Sequence, residues 1–165
     1  MATSERIDPP YEADERTMLV AWLEYHRATL EQKCEGLSDD QLRVRSVPPS
    51  ALSLLGLVRH MAEVENNWFR FWLGGEGPFA CYEGDEDFEV EGADVAEAFD
   101  YWRAECEHAR KVLATFDSLD DVGAGQTVGA GISVRWTLVH MIEEYARHNG
   151  HADLIRELVD GTKGE

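Results

Sequence analysis

At 165 residues, with 44% hydrophobic and 29% charged side chains, the chain fits one soluble domain (1–165) able to bury its own core. Its formal net charge of -18 repels phosphate backbones and anionic lipid, which argues against nucleic-acid and membrane partners. Cys34, Cys81 and Cys106 are widely spaced and form no CxxC pair, so neither a disulfide framework nor a thiolate metal site is signalled.

Residues 1–12 read as an extended arm, because Asp8-Pro9-Pro10 blocks helix entry. The arm lacks the apolar core of a signal peptide, and no apolar run is long enough to span a bilayer, so a cytoplasmic protein is expected. From about Asp14 to Glu35, Met18, Leu19, Trp22, Leu23, Tyr25 and Leu30 recur at helical spacing, and Gly36 supplies a stop. Ser38 with Gln41 fits a capping box and Leu37 with Leu42 a hydrophobic staple, which predicts a short helix closed by Val47-Pro48-Pro49.

Ser53 caps a second long helix to about Leu73, with Leu54, Leu57, Val58, Met61, Val64, Trp68, Phe71 and Trp72 as its stripe and Gly74-Gly75 as its end. Residues 76–93 read as an acidic loop tacked to the body by Phe79, Tyr82 and Phe88. Asp94 with Glu97 signals the third long helix, which buries Phe99, Trp102, Cys106, Ala109, Leu113 and Phe116. Gly123, Gly125, Gly129 and Gly131 predict a flexible connection without the pattern of a phosphate loop. Ser133 then caps a last helix over about 134–160. The expected fold is all-α: an antiparallel four-helix bundle, up-and-down or crossover, with one extra short helix and a long acidic loop that could carry the crossover.

Chemistry concentrates in two places. His60 lies mid-helix between Leu57 and Val64, pointing inward or to a seam; alone, it reads as a hydrogen-bonded core residue. On the last helix His140, Glu144, His148 and His151 share one face over three turns, an accumulation that helix stability does not explain. Glu144, His148 and, at i+3, His151 are three candidate ligands by spacing, and Glu144 and His148 could join a facing His60 to hold a divalent ion such as zinc with one position left open. His26 and His108 have no such company. Only Glu105-Cys106-Glu107-His108 matches the ExxH motif that a di-iron bundle needs twice.

The runs Ser53–Glu65 and His140–Asp153 resemble the DinB-type metalloprotein superfamily, and the resemblance extends over nearly the whole chain. Within it, the chain is similar to the actinobacterial, mycothiol-dependent or mini-circle-type branch. Many members carry a histidine where this chain has Glu144; a His/Glu/His site resembles the mycothiol-dependent maleylpyruvate isomerases. The resemblance implies metal ligands His60, Glu144 and His148, with zinc (or nickel or another transition metal) as the ion, and His151 as a neighbour rather than a ligand. It also implies a homodimer and an enzyme that uses a low-molecular-weight thiol, mycothiol first, for S-transfer, isomerisation or detoxification of a small electrophile. A bundle that binds a metal or ligand without turnover is the alternative. His151, or Glu63 one turn from His60, is the expected outer partner or proton acceptor. Arg59, Arg135 and Arg147 are candidates to hold a carboxylate or the hydroxyls of the thiol, and Gly150 would admit a close backbone.

Overall fold

In the computed structural model, residues 5–77, 80–82, 84, 86–125 and 131–164 are described. Short polar side chains start the helices as their spacing predicts. Asp14 caps α1 (Glu15–Cys34), and Ser38 and Gln41 form a reciprocal capping box on α2 (Asp39–Leu42). Ser53 caps α3 (Leu54–Glu65), Asp94 caps α4 (Val95–Leu113) and Ser133 caps α5 (Val134–Asp160). Gly36, at φ 75°, turns the chain after α1.

Helix directions follow from the pairs that touch. Glu15, His26 and Lys33 meet Arg135, Asn149 and Asp153 in order, so α1 and α5 run the same way. Glu63 and Arg70 meet Tyr101 and Glu105, so α3 and α4 also run together. Between these pairs the sense is opposed: Arg16, Glu24 and Glu31 meet Leu113, Arg110 and Arg103. The result is a four-helix bundle in which the 74–94 loop carries the crossover between parallel α3 and α4.

Two expectations about this region need correction. The second long helix does not remain α-helical to Leu73; Asn66–Leu73 is π-helical. The wider turn changes which residues face inward, so Phe69 and Leu73 are buried, while Trp68, Phe71 and Trp72 are only half-buried. Nor is the glycine-rich connection simply a flexible linker where it is described. The amides of Ala124 and Gly125 donate to Leu73 O and Trp72 O, each at 3.0 Å, and so satisfy carbonyls at the end of the π-helix. A Cβ on Gly125 would stand 2.6 Å from Phe71 O, so the absence of a side chain is what admits this approach. Gly129 and Phe79 lie outside the described residues.

The core is not purely apolar. On the inner face of α1, Arg27 is buried where only apolar neighbours were expected, and Trp22 points outward. The Arg27 guanidinium makes two bonds to Glu65, Nε to Oε1 at 2.8 Å and Nη2 to Oε2 at 2.6 Å. Tyr145 OH donates to Glu65 Oε1 at 2.7 Å and accepts from Trp102 Nε1 at 2.9 Å. One chain of bonds thus joins α1, the end of α3, α4 and α5, and each member answers the cost of burying the next. Cys106 sits against this network, where burial foremost and then the Glu65 charge raise its pKa and keep it a thiol. Tyr145 also sets the rotation of α5, placing the adjacent Glu144 toward α3 on the neighbouring face.

Candidate metal centre

α3 and α5 face one another in opposite directions, and their pairing brings His60 to His148 with ring centroids 4.7 Å apart. Donor atoms of His60, Glu144 and His148 all lie within 4.8 Å of one another. His148 Nε2 stands 3.5 Å from Glu144 Oε2, the contact that i, i+4 spacing foretells. Glu144 Oε1 looks the other way, 3.6 Å from His140 Nε2. His140 belongs instead to an aromatic group: it stacks on Trp136 at 4.8 Å and meets the edge of Trp68 at 4.4 Å.

The sequence reading missed the residue that orients His60. Asp87 Oδ2 lies 2.8 Å from His60 Nδ1, and since a carboxylate only accepts, the ring proton belongs on Nδ1. Nε2 is then the unprotonated donor atom, and a carboxylate behind a histidine is the usual way such a ligand is held. Phe88 stacks on the same ring at 5.1 Å. Asp87 comes from a short 3-10 turn, Glu86–Phe88, in the acidic loop, where no periodicity marks one acid from its neighbours.

Arg59 holds that loop in place. It is buried, donates to Glu86 O at 2.9 Å and to Glu89 O, and lies 4.2 Å from the centre of the Tyr82 ring. Its two Nη groups therefore anchor the loop. Arg135 pairs with Glu15 and Asp120, and Arg147 with Glu143 and Glu144, on the outer surface of the bundle. The ExxH segment is likewise committed, Glu105 to Arg70 and His108 to Glu76.

Burial lowers the pKa of His148 to about 4, helped by the nearby His60, His151 and Arg147. The imidazole is therefore neutral at ordinary pH, the form that can donate a lone pair to a cation. Its other nitrogen, Nδ1, is 3.4 Å from Nδ1 of His151, which places His151 behind His148 and outside the donor cluster. Glu63 Oε1 accepts from the Cys81 amide at 2.8 Å and from Tyr101 OH at 3.1 Å. It lines, with His60 and Asp87, a cleft of about 300 Å³, and burial raises its pKa. Gly150 faces open space, and among the described residues no other element approaches it.

Two imidazoles and a carboxylate on facing helices, the first braced by an acid, are a donor set suited to zinc or a similar divalent ion. A crossover four-helix bundle carrying such a cluster is the architecture of DinB-like proteins. The family profile described as mycothiol-S-transferase matches residues 18–161, and the chain belongs to that family. The fold is similar to that of a solved structure, the conserved protein of locus from Enterococcus faecalis. The TM-score is 0.64 at 17% identity, covering 92% of this chain and 100% of that one. No functionally curated protein matches. No helix among the described residues is long and apolar enough to cross a membrane.

Proposed function

We propose that this protein is a divalent-metal-dependent transferase that joins a low-molecular-weight thiol, mycothiol first, to a small electrophile, and so detoxifies it. The observation that carries the reading is the convergence of His60, Glu144 and His148 donor atoms within 4.8 Å in a chain of this family. A zinc ion held by these three residues supplies Lewis acidity that makes a thiol ionise near neutral pH. The protein's own residues do the rest. Asp87 fixes the ring of His60, and His151 stands behind His148. Glu63 opens on the cleft with a pKa raised toward the range useful in a proton acceptor, and it is the group we assign to take the thiol proton. Against the two charges of a bound divalent ion stand three carboxylates, Glu63, Asp87 and Glu144, and this net negative balance favours an uncharged sugar thiol over a thiol bearing carboxylates.

The test is a thiol panel on zinc-loaded protein, following thiol consumption against a model electrophile. Mycothiol is expected to turn over faster than glutathione by roughly tenfold or more, the effect of one like charge at close range. Metal and tight thiol binding without consumption of any thiol would instead make this a binding protein.

We further propose that it works as a homodimer joined through the outer face of α5. At a hundred degrees per residue, Trp136, Val139, Ala146, Gly150 and Leu154 share one exposed sector. That face gives Gly150 its use, since a second copy could approach where this chain leaves open space. Leu154→Glu is expected to halve the mass seen by sedimentation; an unchanged mass would remove α5 as the joint.

A further inference from the structure

Glu144 has more donor capacity than one ion uses. Its Oε2 faces His148 Nε2 at 3.5 Å, while its Oε1 faces His140 Nε2 at 3.6 Å. Both separations exceed the span of about 2.7–3.2 Å to which a hydrogen bond draws N and O. They lie close to the roughly 3.4 Å that two donors keep across one zinc ion, given metal–donor distances near 2.1 Å and tetrahedral angles. Glu143 stands on the same side, its Oε2 3.8 Å from His140 Nδ1. Donor atoms of His140, Glu143 and Glu144 all lie within 4.8 Å of one another, so a second donor set adjoins the first and has Glu144 in common with it.

The ring of His140 is held in place for this. It lies flat on Trp136 at 4.8 Å and against the edge of Trp68 at 4.4 Å. A protonated imidazole between two glutamates would balance the same charge without an ion. It would also draw its partners to hydrogen-bond length, whereas they stand off at 3.6 and 3.8 Å. The other cation beside these acids is Arg147, exposed, bonded to Glu143 and 3.6 Å from Glu144 Oε1. A surface pair of this kind is worth little, so an ion can send the guanidinium back to solvent.

We propose that His140, Glu143 and Glu144 hold a second divalent ion beside the first, with Glu144 bridging the two through its separate oxygens. The proposal rests on the metal centre assigned above, because the shared carboxylate is one of that centre's ligands. One imidazole and two carboxylates suit zinc, nickel or cobalt and not magnesium or calcium, which take oxygen donors. The second ion binds more weakly than the first, since Glu143 is exposed and the two ions repel. It fills when metal is in excess and leaves on dialysis, which ties the state of the first centre to the supply of metal.

Zinc-loaded protein, dialysed to its tight ion and then titrated calorimetrically with zinc chloride, tests this. One further ion per chain is expected with zinc and none with magnesium. His140→Ala and Glu143→Ala, each checked for unchanged helix content, should keep the dialysed ion and weaken the further one by roughly 100-fold or more. His148→Ala should do the reverse, and Glu144→Ala should weaken both. Arg147→Met should strengthen the further ion, by up to about fivefold, by removing its competitor. A dialysed ion with no further uptake would overturn the second site and keep the first. No dialysed ion, with uptake that needs His140 and not His148, would overturn the first centre and the bridge with it. Further uptake equally strong in His140→Ala and Glu143→Ala would place the ion elsewhere and overturn the proposal. Glu143 also borders the outer face of α5, so the titration is repeated on Leu154→Glu. Uptake there should be unchanged, and its loss would overturn a site built within one chain.

Discussion

Replacing His148 with alanine is expected to strip the protein of metal while leaving its helices intact. His148 supplies one of three donors that meet within 4.8 Å, and its loss leaves only Glu144 and His60 of that set, on different helices. Losing an outer partner of a metal-binding histidine typically costs about 10- to 100-fold in affinity, so losing the ligand itself should cost more than about 100-fold. Asp87→Ala provides the graded comparison. It removes the 2.8 Å brace on His60 but no ligand, and should fall within that 10- to 100-fold range. Elemental analysis after dialysis, beside far-UV circular dichroism, reads both. Equal zinc in wild type and His148→Ala would end the assignment of the site.

The second large effect belongs to the core. Glu65→Ala should destabilise the protein by about 3–5 kcal/mol, because it leaves the Arg27 charge buried without its double partner. For a chain of this length that corresponds to a fall in melting temperature of roughly 10–15 °C. The double replacement Arg27→Met with Glu65→Leu should be far less harmful than the sum of the singles, since it removes both charges and refills the space. Urea denaturation of the four proteins makes the comparison. A Glu65→Ala loss under about 1 kcal/mol would mean that Glu24, already 2.7 Å from Arg27 Nη1, holds the charge by itself.

What could be read from the sequence was what is local. Ser38, Ser53, Asp94 and Ser133 announce helix starts because a cap needs only its own next three residues. Glu144 and His148 were legible for the same reason, their contact being set by one helical turn. His60 was legible as an inward-facing histidine, but its meeting with His148 depends on how α3 and α5 pair. Asp87 lay hidden among the acids of a loop, where neither spacing nor composition marks it. Arg27 and Glu65 were hidden because charged residues ordinarily face solvent, and each makes sense inside only once the other is seen. The π-helical turn escaped because Trp68, Phe71 and Trp72 suit a period of 3.6 residues, while the chain's own backbone bonds set another.

The bond from Tyr145 to Glu65 spans 80 residues of sequence and stands next to the donor cluster in space. Leucine, valine and methionine would tolerate α5 sliding one turn along α3, about 5.4 Å, since one aliphatic contact resembles the next. Tyr145 would not, because a slip leaves its hydroxyl and the Glu65 oxygen searching for partners in a dry interior. The buried polar core thus acts as a vernier for the bundle. By allowing one axial setting of α5, it brings His148 to the level of His60.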